Sequence, residues 1–202
     1  MNKGKVWLVG AGPGDAGLLT IKGKKVLNQA DVVVYDSLIG QGILAEIPDG
    51  VKLINAGKRA NHHTMAQEEI NEVLLKEALE GNRVVRLKGG DPFLFGRGGE
   101  ELELLEENHI SYEIVPGVTS AVSVPAYNGI PVTHRDFCSS VHIITGHKRT
   151  DSAYDIDFKA LTQTGGTLVF LMGISSLEAI CNGLIKNGMD PDMPAAVLQK
   201  GT

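Results

Sequence analysis

Arg86-Leu87-Lys88-Gly89-Gly90-Asp91-Pro92-Phe93-Leu94-Phe95-Gly96-Arg97-Gly98-Gly99-Glu100-Glu101 sets one acid, Asp91, and two bases, Lys88 and Arg97, among closely spaced glycines. Glycine lets backbone come close to a ligand and takes positive φ without steric cost. The run follows a hydrophobic strand, and loops at the carboxyl ends of strands in α/β sheets are where ligands bind. It therefore describes a small-molecule site made largely of backbone. Asp36 ends the apolar run Val32-Val33-Val34-Tyr35. It is either a cap for the turn at Ser37 or a general base at the sheet edge. Lys58-Arg59 follows another apolar run and Gly57. The pair is either a solvated basic patch or a proton donor beside a carboxylate anchor.

Gly10-Ala11-Gly12-Pro13-Gly14-Asp15 has the context of a dinucleotide loop but not its chemistry. Asp15 stands where the third glycine belongs and would oppose a pyrophosphate, and Pro13 removes an amide donor. No Gly-Lys-Ser/Thr follows. The loop is either a tight strand–helix turn or a backbone cradle for a ligand without phosphate. Val115-Pro116-Gly117-Val118-Thr119-Ser120-Ala121 and Gly129-Ile130-Pro131-Val132-Thr133-His134-Arg135 flank one short helix. The first is a plain helix cap or a ledge of hydrogen-bonding groups. His134-Arg135 is a second basic pair. His62-His63 and His142/His147 lack partners at metal-site spacing, so no metal is expected.

These residues need a scaffold in which strands and helices alternate. Strands are expected at Val6–Val9, Val32–Tyr35, Val51–Ile54, Val84–Leu87 and Tyr112–Val115. Helices are expected at 18–28, 67–80 and 100–108, the second ended by Gly81. The pattern predicts an α/β fold with a parallel sheet covered by helices. Pro116-Gly117 interrupts it, which divides the chain into domains at 1–115 and 116–202. In the second, helices are expected at 120–128 and 175–187, strands at 141–145, 167–171 and 195–198, and an irregular excursion at 146–164. A buried-looking strand just before Thr202 suggests a truncated second domain.

The 202 residues carry a formal net charge of −5, which speaks against a nucleic-acid partner and leaves room for a local basic pocket. No apolar run reaches the roughly twenty residues of a membrane span. No signal peptide opens the chain, and Cys138 and Cys181 read as reduced thiols, so a cytoplasmic protein is expected.

Taken in order, Val9 to Asp15 with Leu18-Leu19-Thr20, Ala30 to Leu38, Gly57-Lys58-Arg59, Arg83 to Glu101, Val115 to Arg135 and Thr167 to Gly173 resemble the tetrapyrrole methylases. The resemblance implies two α/β domains with S-adenosylmethionine in the cleft between them, the first domain on the substrate side and the second, incomplete, on the cofactor side. It implies a homodimer that methylates uroporphyrinogen III at C2 and then C7, giving precorrin-2 on the route to sirohaem and cobalamin, with S-adenosylhomocysteine as by-product. By motif, Asp36 is the proton acceptor and Lys58 the proton donor. Pro13, Gly89, Gly90, Asp91, Leu94, Thr119, Ser120, Met172 and Gly201 line the cofactor. Arg59, Arg97, His134 and Arg135 are the candidates for the substrate's carboxylates, which arginine grips with paired hydrogen bonds. Two rivals remain: a methylase of another precorrin, and a non-catalytic fragment that binds tetrapyrrole or cofactor.

Overall fold

The computed structural model describes residues 3–57, 65–147 and 156–202. They fall into two compact units, residues 1–120 with Thr202, and 121–201.

The first unit is built on five parallel strands, β1 (Lys5–Gly10), β2 (Val32–Tyr35), β3 (Lys52–Asn55), β4 (Arg83–Lys88) and β5 (Ser111–Val115), in the order β3-β2-β4-β1-β5. Helices α1 (Ile21–Leu27), α2 (Gln41–Leu44), α3 (Gln67–Leu79) and α4 (Gly98–Glu107) join them. Side chains alternate across a strand, and both faces are covered. Val9, Val33, Val85 and Leu87 pack with Val26, Leu27 and Ile43 on one face. Val6, Leu8, Val32, Val34 and Val84 pack with Ile70, Leu74 and Leu105 on the other. Double coverage explains the unbroken valine runs that made these strands legible.

Thr20 caps α1 by accepting the Gly23 N–H. A single 3-10 turn, Ala16–Leu18, precedes it, so the helix expected from residue 18 begins at Ile21. Asp15 caps that turn, its Oδ1 accepting the Gly17 N–H at 2.7 Å. The carboxylate that disqualified the dinucleotide motif thus has a structural task.

The second unit holds α5 (Ser120–Tyr127, starting on the last residue of the first unit), β6 (Val141–Thr145), α6 (Phe158–Gln163), β7 (Thr167–Leu171) and α7 (Leu177–Lys186), with β6 and β7 paired in parallel. Among its described residues only Ala121, Ser123, Gly146 and Ile180 are buried. Two expectations fail here. Residues 195–198 form no strand: no described strand pairs with them, and Val197 stays exposed. Residues 158–163, expected to be irregular, form α6, because Asp157 caps the Ala160 N–H at 2.9 Å and Phe158 packs on Gly183 of α7. Among the described residues, no helix is long and apolar enough to cross a membrane.

Candidate active site

The finishing edge of the five-stranded sheet gathers the candidate residues of the first unit. The loops after β1 and β4 are tied by backbone: Gly12 N–H donates to Gly90 O at 3.2 Å, and Gly90 N–H to Gly12 O at 2.8 Å. Gly10, Gly90 and Gly117 meet backbone to backbone. A Cβ on Gly117 would lie 2.2 Å from Gly90 O and 2.6 Å from Gly10 Cα. Gly90 is glycine for another reason. Its φ is +67°, and no atom lies within 4 Å of where its Cβ would point. Gly89 abuts Leu38, whose Cβ is 3.1 Å from the position of a Gly89 Cβ, so the loop after β2 joins the same edge.

Asp91 fastens this assembly. Its Oδ1 accepts the Phe93 N–H and its Oδ2 accepts the Gly117 N–H, each at 2.9 Å. Both oxygens therefore already have a backbone donor, a task the sequence did not reveal. Pro13 and Leu94 are half-buried in the tied loops. Arg97 initiates α4 in the left-handed conformation, φ 56°, and forks onto Glu100 with its Nε and Nη2. Its charge is thus partnered on the surface. Ordinary helix geometry brings the two together, three residues apart.

Under the loops lies a buried ionic cluster that sequence reasoning missed. The register pairs Val34 with Arg86, and period two then puts Val34, Asp36, Arg86 and Lys88 on the face covered by α3 and α4. Arg86 Nε donates to Glu101 Oε1 at 2.9 Å, and Lys88 Nζ donates to the same oxygen at 2.8 Å. Gln67 Nε2 approaches it at 3.3 Å. Arg86 Nη1 donates to the carbonyls of Leu87 at 3.2 Å and Val34 at 3.4 Å. Its Nη2 stands 3.8 Å from Asp36 Oδ2. Asp36 Oδ1 accepts the Leu38 N–H at 2.9 Å, so Asp36 does cap its turn.

Lys88 corrects an expectation. It is the last residue of β4, 5% exposed, and not a free base in the loop. Burial first, and the neighbouring Arg86 guanidinium second, lower its pKa, while Glu101 and Asp36 oppose them. A signal for the cluster was present: charges inside a strand of buried valines require a buried partner. Glu101 is that partner, four residues before buried Leu105 on α4.

The other candidates stand on other segments of the chain. Thr119 and Ser120 lead into α5 and are half-buried. In the second unit, Met172 follows β7 with φ 57° and an exposed side chain. Gly201 sits where a Cβ would meet Val124 Cγ1 at 2.7 Å. His134 accepts the Asp136 N–H and lies tilted by 50° against Phe137 at 4.9 Å between ring centroids, and Arg135 is exposed. Lys58 and Arg59 lie outside the described residues. Among the described residues no group of three or more metal-ligating side chains occurs.

Known proteins resemble this chain in sequence and fold. The model of the tetrapyrrole (corrin/porphyrin) methylases matches residues 5–202. The porphyrin biosynthesis protein HemD of Ruminiclostridium josui is 60% identical over 202 residues, which are 100% of this chain and 40% of that protein. The S-adenosyl-L-methionine-dependent uroporphyrinogen III methyltransferase of Methanosarcina barkeri (strain Fusaro / DSM 804) is 53% identical over 202 residues, which are 100% of this chain and 79% of that protein. The crystal structure of uroporphyrin-III C-methyl transferase from Thermus thermophilus, complexed with S-adenyl homocysteine, superposes with a TM-score of 0.78 at 40% identity, covering 93% of this chain and 78% of that one.

Proposed function

The chain belongs to the tetrapyrrole (corrin/porphyrin) methylases, and we propose that it methylates uroporphyrinogen III at C2 and then C7, using S-adenosylmethionine and giving precorrin-2. The observation that carries this reading is the 53% identity, over the whole chain, to an enzyme named for that substrate and donor. The proposed protein works in the cytoplasm as a homodimer and feeds sirohaem and cobalamin synthesis.

The finishing edge of the sheet fits a methyl donor without phosphate. Gly90 faces open space, Pro13 lacks an amide donor, and Asp15 would repel an anion. Pro13, Gly89, Gly90, Asp91, Leu94, Thr119, Ser120, Met172 and Gly201 are the proposed cofactor contacts. S-adenosylmethionine, when bound, supplies an electrophilic methyl group. Backbone and side chains hold the substrate's ring carbon in line with it, so positioning supplies most of the rate. Transfer of that methyl to the ring carbon would release S-adenosylhomocysteine and leave the macrocycle cationic. Asp36 takes the proton that then leaves, and its electron pair restores the neutral ring. Lys58 is the proposed proton donor. Arg59, Arg97, His134 and Arg135 receive the substrate's carboxylates.

The test is calorimetric titration with S-adenosylhomocysteine, followed by incubation with S-adenosylmethionine and uroporphyrinogen III and mass analysis of the product. A dimethylated product is expected. Binding without product excludes uroporphyrinogen III as substrate. Asp36→Ala is expected to lower turnover by about 10²–10⁴-fold with S-adenosylhomocysteine affinity retained. Equal loss of both removes the base assignment.

A further inference from the structure

We infer that Arg86 is a positioning residue for Asp36, and that Glu101 is the clamp that fixes it. The inference rests on the methylation reading above. Arg86 is 3% exposed and Glu101 is fully buried. Each guanidinium nitrogen of Arg86 has its own direction. Nε is held by Glu101, Nη1 by the Val34 and Leu87 carbonyls, and Nη2 faces Asp36 Oδ2 at 3.8 Å. A planar fork held at two corners leaves its third corner no freedom. Asp36 is held from the other side, its Oδ1 by the Leu38 N–H. The carboxylate is therefore oriented by one backbone amide and one fixed cation.

The charge count gives the arrangement its consequence. Among the described residues, Arg86 and Lys88 on β4 are the cations facing Asp36, and Glu101 on α4 is the neighbouring anion. Without Asp36, these two buried cations would share one carboxylate, and Asp36 is the second acid beside them. Glu101 carries a further sign of compromise. Its Oε1 takes Arg86, Lys88 and Gln67, while its buried Oε2 has no hydrogen-bond partner among the described residues. The carboxylate is turned to hold Arg86 and Lys88 at a single point, which keeps the Arg86 fork aimed at Asp36. In the reaction, the proton released by the methylated macrocycle goes to the Asp36 carboxylate, and the C–H electron pair returns to the ring. Arg86 keeps Asp36 turned to receive that proton.

The test is kcat and KM for uroporphyrinogen III methylation at saturating donor, in the full chain and in Arg86→Met, Arg86→Gln and Arg86→Lys, with S-adenosylhomocysteine affinity as control. Arg86→Met and Arg86→Gln are expected to lower kcat at least about tenfold, with KM and donor-product affinity unchanged. Arg86→Lys keeps the charge but not the fork, so its kcat falls at least about fivefold. A parent-like kcat in a folded neutral variant overturns the inference. If neither neutral variant folds, Arg86→Lys decides, and a parent-like kcat overturns it. A parent chain that binds S-adenosylhomocysteine but leaves uroporphyrinogen III unchanged overturns the functional reading as well. Turnover in the parent with unmoved variants sinks only the role of Arg86.

Discussion

The two edges of the five-stranded sheet treat charge in opposite ways. At the edge where strands begin, and on its flank, ion pairs reach water. Arg83 forks onto Asp31 at 2.7 and 2.9 Å, Lys5 and Lys22 share Glu113, and the exposed Lys52 covers the buried Glu77 at 2.6 Å. At the edge where strands finish, Arg86, Lys88 and Glu101 are buried, with Asp36 beside them. Surface pairs contribute little and can be exchanged for water. Buried charges cost desolvation, and an apolar core of equal volume would hold the sheet as well or better. Retaining three of them, with the half-buried Asp36 alongside and glycine loops of unusual backbone above, supports reading the finishing edge as the working one. The starting edge only ties strands together.

The sharpest way to break this contrast is Glu101→Ala. It strands two buried cations and is expected to cost about 3–5 kcal/mol in denaturant unfolding. A loss below about 1 kcal/mol would mean that water reaches the cluster and the two edges are alike. Gly117→Ala comes next. Its Cβ would overlap Gly90 O and Gly10 Cα, and the shift needed is expected to cost about 1–3 kcal/mol. S-adenosylhomocysteine affinity should fall with it, since the tied loops move. An alanine accepted without change in melting temperature or affinity would show that the three-glycine contact is loose.

Asp91→Ala is smaller and separates two roles. Losing the acceptor for the Gly117 and Phe93 N–H groups is expected to cost about 1–2 kcal/mol. If the carboxylate also accepts from the cofactor, S-adenosylhomocysteine affinity drops by more than Asp91→Asn causes. Stability loss with unchanged affinity would leave Asp91 a fastener only.

Much of this edge was legible in the sequence, and the reason is local. Val32–Tyr35 and Val84–Leu87 announce buried strands because both sheet faces are covered, and the glycines after β1 and β4 mark where backbone approaches backbone. Asp36 stood out as a candidate because a carboxylate at the end of a valine run is conspicuous. Glu101 was not, because nothing local distinguishes it from its neighbour Glu100. One turns inward to Arg86 and Lys88, and the other stays outside with Arg97. That choice depends on how α4 is rotated over the sheet. The 195–198 run failed for a similar reason: strand propensity without a neighbouring strand yields no strand.

The smallest expected effect tests the starting edge itself. The Arg83 side chain holds the Asp31 carboxyl at a pKa of about 2, below its ordinary 3.8, and Lys22, then Lys5, hold Glu113 at about 2, below 4.5. Both are lowered in the folded state. Their stabilisation is therefore complete above the unfolded values and fades as pH falls from about 4.5 toward 2. Their side chains are 39% and 33% exposed, so screening limits each to no more than about 1 kcal/mol. Asp31→Asn and Glu113→Gln should lower stability slightly at pH 7 and flatten its decline over that window. In about 1 M salt the difference between parent and variant should nearly vanish, because the Debye length shrinks to about 3 Å. The cost of Glu101→Ala should survive the same salt, because ions do not enter the buried cluster. Equal salt sensitivity at both edges would erase the distinction, and with it the physical ground for treating the buried Arg86, Lys88 and Glu101, with Asp36 beside them, as part of the proposed working site.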